Sequence, residues 1–166
     1  MNRTHELIKA WQQGSSDYRA NNSDLYKKLR KTKIKELDKA FHEQHEQVFQ
    51  SMDCLECANC CKTTSPIFYQ ADIDRLARTL KMKVPEFIDT YLRVDEDNDY
   101  VLKSSPCPFL GHDNKCIVYA SRPTACREYP HTDRKRMNQV LNLTFNNAEI
   151  CPAVYGILER LKEVKA

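Results

Sequence analysis

Cys54-Leu55-Glu56-Cys57-Ala58-Asn59-Cys60-Cys61 places four cysteines within eight residues. The other four of the chain's eight cysteines follow at wide intervals: Cys107, Cys116, Cys126 and Cys151. Two C-x2-C steps bring thiolates close enough to grip an ion from one tight loop. Four more, arriving from distant segments, are spaced to close the cage. The pattern predicts a domain built around metal.

The rest of the composition agrees. The 166 residues are 30% charged, and the mean hydropathy is −0.68. Such a chain has a thin apolar core for its length, so an internal metal staple adds stability. Three glycines, with no G-x-x-x-x-G-K or G-x-G-x-x-G run, argue against a glycine-rich nucleotide loop. No apolar stretch approaches the length needed to span a bilayer, so no membrane partner is expected. Met1-Asn-Arg-Thr-His-Glu has no apolar segment of the secretory kind. The expected location is the cytoplasm, where thiols stay reduced and disulfides are the weaker reading of eight cysteines. The formal charge is +3 with neutral cysteines. Eight thiolates on two zinc ions would lower that by about four charges. Net basicity is therefore no argument for nucleic acid, which is not an expected partner.

Helical spacing organises the flanks. Residues 4–13 read as a short helix with Leu7, Ile8 and Trp11 on one side, broken at Gly14-Ser-Ser-Asp17. Ser23 is a good N-cap, and a long helix is expected from about 24 to 51. Leu25, Leu29, Leu37, Phe41 and Val48 recur there at helical spacing. The opposite face carries Lys27, Lys28, Arg30, Lys31, Lys33 and Lys35. The plain reading of that run is a solvated face; the alternative is a docking surface for an acidic protein partner.

Past the cysteine loop at 54–65, Ile67-Phe68-Tyr69 reads as extended, and Ala71 to Leu80 as an amphipathic helix. Pro85 starts another helix, carrying Phe87, Ile88, Tyr91 and Leu92. Val94 to Asp99 is an acidic turn. Tyr100-Val-Leu-Lys103 reads as a strand, with Cys116-Ile-Val-Tyr119 its expected hairpin partner across a turn at Gly111-His-Asp-Asn114. Pro123 begins a short helix through Cys126. Residues 152–164 form a last amphipathic helix with Val154, Ile157, Leu158 and Leu161 on one face. The expected fold class is mostly α with a small β-hairpin, as a cysteine-rich, metal-stapled single domain. Its parts are an N-terminal helical extension over 1–52, a cysteine-cluster metal-binding core over 53–152, and a C-terminal helix over 153–166 packing on the core.

The run CLECANCC, then CPFL-x5-C-I-V-Y-x2-RP-x2-CREYP, resembles the YkgJ-type cysteine-cluster family over about residues 54–152. The resemblance implies a zinc- or iron-chelating domain. A related cysteine cluster occurs in flagellin lysine methylases, which implies an iron–sulfur cluster as an alternative cofactor. The spacing of Cys54, Cys57, Cys60 and Cys61 fits the family pattern. A glycine usually follows the second cysteine of that pattern; here it is Ala58, which would be strained if the loop needs a positive φ.

The residues themselves support metal independently. Asn59 takes a left-handed conformation at little cost, which helps the Cys57-to-Cys60 turn. Cys60 and Cys61 are neighbours with diverging side chains. Either two sites share the pair, or one is a ligand and the other a spectator. Eight cysteines divide into two zinc sites of four thiolates, or supply one four-cysteine 4Fe-4S cluster with four left over. Arg122 and Arg127 flank Cys126 and are expected just outside the thiolates, offsetting their excess negative charge; the plainer reading is an ordinary surface ion pair. Tyr119, Phe109 and Tyr129 read as core aromatics.

His42-Glu-Gln-His45 lacks the four-residue histidine spacing of zinc proteases and reads as exposed helix histidines. Asp95-Glu-Asp97-Asn-Asp99 starts like a calcium loop, but it has no glycine at the sixth position and reads as a solvated turn. His131 could replace a cysteine as a ligand. Arg134-Lys-Arg136 reads as surface. Metal binding leads, zinc first, in a structural or chelating role. The rivals are an enzyme using an iron or iron–sulfur centre and a metal-stabilised adaptor. No catalytic base is identifiable, so catalysis is left open.

Overall fold

The computed structural model describes residues 2–164. It is mostly helical with one small antiparallel hairpin, as the periodicity predicts. The N-terminal helices are α1 (Arg3–Gly14), α2 (Tyr18–Asn21), α3 (Ser23–Lys31) and α4 (Ile34–Phe49). The cysteine loop forms α5 (Cys54–Cys57) and α6 (Asn59–Thr63). Then come α7 (Gln70–Thr79), α8 (Val84–Tyr91), β1 (Leu92–Val94), β2 (Tyr100–Leu102) and α9 (Thr124–Glu128). The chain closes with α10 (Leu141–Asn147) and α11 (Pro152–Glu163). None of the helices among the described residues is long and apolar enough to cross a membrane.

The chain packs as two compact units. The first holds the residues up to Cys54 together with those from Pro130 onward; the second is Leu55–Tyr129. In the first, α11 packs against α4 and α1, and α10 against α2, α3 and α11. Val154, Ile157, Leu158 and Leu161 are all buried, as their spacing requires, with Leu37 and Phe41 of α4. Gly156 lets α11 approach α1: a Cβ there would stand 2.8 Å from Leu7 Cδ1.

The continuous helix expected over 24–51 is two helices. Thr32 and Lys33 are extended, with ψ of 140° and 141°. The Thr32 hydroxyl donates to the Lys28 carbonyl at 3.0 Å, satisfying part of the last turn of α3. Lys28, Arg30 and Lys31 crowd that last turn, where cations favour a helix C-terminus. Carrying the helix onward would stack Lys27, Lys31 and Lys35 at repelling i,i+4 spacing.

The second unit has its own core of Phe68, Ile73, Leu76, Ala77, Phe87, Leu92, Leu102, Phe109 and Val118. The rings of Phe87 and Phe109 are stacked, 6.3 Å apart and 4° from parallel. The hairpin differs from the expected one. β2 pairs with β1 in the register Leu92↔Leu102, Arg93↔Val101, Val94↔Tyr100. The acidic turn joins them, with Asp95 Oδ1 accepting from the Asp97 and Asp99 amides at 3.0 and 2.9 Å. That short turn closes a local ladder at lower entropic cost than a long loop to residue 116. Cys116 instead forms a single bridge with Leu110, and Phe68 one with Tyr100.

Candidate metal centre

The cysteine loop folds as two short helical turns around one strained residue. Ala58 has φ 50° and ψ 18°, and is buried. The left-handed position is thus Ala58, where the resembling family usually has glycine. It is not Asn59, which opens α6. The strain costs on the order of 1 kcal/mol. Cys54 and Cys57 sit at the two ends of α5. Cys60 and Cys61 are adjacent on α6, so their side chains diverge by roughly 100° about its axis. A hydrogen bond from Cys60 nevertheless reaches Cys61.

Three further segments of the second unit bring cysteines towards Cys61. The Cys107 amide donates to the Cys61 carbonyl at 2.8 Å. The Phe109 and Leu110 amides donate to the Cys107 sulfur. A tight turn then folds the chain back, with the Gly111 amide on the Lys115 carbonyl at 2.8 Å and the Ile117 amide on the Phe109 carbonyl at 2.9 Å. Glycine eases that turn: a Cβ at Gly111 would stand 2.9 Å from Asp113 Oδ1 and 3.2 Å from the Lys115 carbonyl. The Val118 amide donates to the Cys116 sulfur. Cys126 lies on α9, its amide bonded to the Pro123 carbonyl at 3.0 Å.

Electrostatics tie these four thiols together. Cys107 feels the charge of Cys61 and Cys116, Cys116 that of Cys61, and Cys126 that of all three. Burial pushes Cys107 up to about 11 and Cys126 up to about 12. Burial raises Cys116 too, against the Val118 amide and Arg122. Cys61 alone moves the other way, to about 7, through the Cys60 hydrogen bond and then, against burial, Arg122 and Lys62.

Among the described residues no two cysteines are joined as a disulfide. Among the described residues no three Cys, His, Asp or Glu side chains stand together as a ready cage. The donor set still fits a thiophilic cation. Half-buried thiols that resist ionisation on their own are deprotonated outright by a coordinated divalent ion. Amide donors aimed at sulfur favour the same thiolate form.

The two arginines play different parts. Arg122 is the cation acting on Cys61, Cys116 and Cys126. Its guanidinium lies 3.6 Å over the Tyr119 ring, and its Nε donates to the Tyr119 carbonyl at 3.0 Å. Arg127 Nε donates to the Arg122 carbonyl at 3.1 Å. Tyr119, expected in the core, is 56% exposed and serves as the platform for Arg122; Phe109 is buried as expected. Tyr129 is half-buried.

A buried group absent from the sequence reading supports this segment. Asp72 of α7 is fully buried. Burial alone would raise its carboxyl, but donors from Arg75, Thr124 and Tyr69 reverse that and hold it below the usual range. The local signal is an acidic residue in the first turn of α7, where the Asp72 side chain accepts from the Tyr69 amide at 3.1 Å. Nothing in the sequence points to its partners 52 residues away.

In the first unit, Cys151 is the N-cap residue of α11, its amide bonded to the Asn147 carbonyl at 2.8 Å. His131 sits at φ 63°. His42 and His45, expected as exposed helix histidines, are half-buried and bonded. His42 Nε2 meets the Arg134 carbonyl at 2.8 Å, and His45 Nδ1 meets the buried Thr132 hydroxyl at 2.8 Å. The lysine run is divided between α3 and α4 and partly neutralised: Lys27 by Asp24 at 3.7 Å and Lys33 by Glu36 at 3.8 Å.

A family model, CxxCxxCC, described as "Putative zinc- or iron-chelating domain", matches residues 53–152. No curated protein matches the chain, and no solved structure does.

Proposed function

The chain belongs to this cysteine-cluster family of zinc- or iron-chelating domains, and from that premise we propose that Cys61, Cys107, Cys116 and Cys126 hold one metal ion through four thiolates. Metal binding is the family's level of description; the ligand set and the ion's role are the proposal. The carrying observation is that the fold draws these segments of one unit together: the Cys107 amide bonds to the Cys61 carbonyl at 2.8 Å, Cys116 bridges to Leu110, and Cys126 follows Arg122, whose charge acts on Cys61 and Cys116. Four thiolates suit zinc in tetrahedral geometry and leave no open coordination position, so the role proposed is structural or chelating. Iron would use the same sulfurs. Cys54, Cys57, Cys60 and Cys151 are further thiolate candidates through their places in the sequence pattern.

The test is elemental analysis and a visible spectrum on anaerobically purified protein. The expected result is at least about one ion per chain, colourless for zinc and absorbing for an iron–sulfur cluster. Serine at both Cys116 and Cys126 should abolish retention of that ion. Unchanged metal content in the double variant would overturn the assignment.

A further inference from the structure

We propose that Asp72 and Arg75, on a helix that carries no cysteine, are positioning residues for the metal centre: they clamp residues 121–124 and so fix where Arg122 and Cys126 stand. The inference rests on the preceding reading of Cys126 as a ligand. A fully buried carboxylate is costly unless its lone pairs are satisfied, and every contact that satisfies Asp72 is structural. Oδ1 accepts from Arg75 Nη2 at 2.6 Å, and from the Thr124 amide and hydroxyl at 3.0 Å each. Oδ2 accepts from the Tyr69 amide at 3.1 Å.

One carboxylate thus caps two helices. It closes the start of α7 and also the start of α9, where Pro123 offers no capping side chain. Arg75 completes the clamp. Its Nη2 donates to the Arg122 carbonyl at 2.7 Å, and its Nε to the Ser121 carbonyl at 3.3 Å. Thr79 adds a hydroxyl contact to Ser121 at 2.7 Å. Residues 72, 75 and 79 share one face of α7. That face grips Ser121, Arg122 and Thr124, leaving Cys126 one half-turn beyond the last anchor. The gripped segment carries the cation that acts on the thiols and leads directly into one proposed ligand. Metal–sulfur distances tolerate only about 0.2 Å, so loosening the grip should appear in ion binding.

The experiment titrates Co2+ into reduced apoprotein, reading the thiolate-to-cobalt charge-transfer band, and then competes the ion away with a chelator. It compares wild type with Asp72→Asn, Thr124→Val and, as an outward-facing control on the same helix, Arg78→Ala. Asp72→Asn should reach the same band intensity at saturation, because no ligand is lost, yet hold Co2+ roughly 10-fold or more weakly. Thr124→Val should fall between it and wild type, and Arg78→Ala should match wild type. Should Asp72→Asn fail to fold, Thr124→Val decides by the same criterion. Variants that melt earlier but bind Co2+ as tightly as wild type would overturn the inference, assigning the clamp to folding alone. A wild type without the thiolate band would overturn the four-thiolate reading itself, and the clamp's role with it.

Discussion

Between α4 and α11 the first unit buries Leu37, Phe41, Ile157 and Leu158 completely. In the second unit the completely buried apolar side chains Ile73, Leu76 and Phe87 lie on α7 and α8, and the long stretch from Lys103 to Pro123 has no α-helix or named strand. That stretch is held by isolated bridges, amide bonds to carbonyls and sulfurs, and the α7 clamp. Cys107 and Cys116 pack against that core, and Cys61 and Cys126 are half-buried. The contrast is between a unit closed by apolar helix packing and one that adds four half-buried thiols to its apolar core.

The widest separation between the units should come from metal removal. A structural zinc site is worth on the order of 10 kcal/mol at neutral pH. Chelation should therefore strip hydrogen-exchange protection from amides within 55–129, while those of α4 and α11 keep theirs. Equal loss in both units, or none in either, would break the comparison.

Within the second unit, the two arginines separate next. Arg122→Ala removes the cation acting on three thiols and should weaken ion retention roughly 10–100-fold. Arg122→Lys should recover part of it, keeping charge but losing the planar stack on Tyr119. Arg127→Ala should cost less, since Arg127 supports only the Arg122 carbonyl. Chelator competition on the three variants gives the order, and a larger loss for Arg127→Ala would reverse the roles.

How far this was legible depended on the range of the interaction. The cysteine spacing announced the family, and the Val154, Ile157, Leu158 and Leu161 stripe announced α11, because both signals are local. The break at Thr32 carries no glycine or proline, so the leucine spacing on either side concealed it. Tyr100–Leu102 is a strand by composition, but its partner depended on the cost of loop closure, which favoured the Asp95 turn. Arg122 and Arg127 flank the same cysteine, and only tertiary placement distinguishes them. The Asp72 clamp was illegible, because a buried carboxylate bonded to Thr124 looks in sequence like an ordinary acidic residue at a helix start.

In the first unit, acid should act through His45. Burial lowers His45 below the ordinary histidine range, and His42 adds to that, while Asp133 and Glu46 pull against it. A folded pKa below the unfolded value gives stability that is present above about 6.5 and is lost as pH falls through the folded value. Wild type should therefore lose melting temperature from pH 7 to 5 more steeply than His45→Asn, which keeps an acceptor for the Thr132 hydroxyl. Parallel curves would show that His45 contributes nothing to acid sensitivity.

The smallest effect falls on the loop where the second unit begins its cysteines. Ala58 holds a left-handed conformation at φ 50°, which costs an L-residue roughly 1–2 kcal/mol. Glycine would remove that strain but give back roughly 0.5–1 kcal/mol in chain entropy. The balance favours Ala58→Gly by about 0.5 kcal/mol. Because the strain sits between Cys57 and the Cys60-Cys61 pair, the gain should appear as metal retention, with the chelator concentration for half-release rising about twofold. Val at the same position should move the other way, since a β-branched residue tolerates this conformation least. If glycine instead lowers retention, the buried Ala58 methyl contributes more through packing than its backbone loses to strain. The loop would then owe its shape to a small core, as in the first unit, and less to the ion.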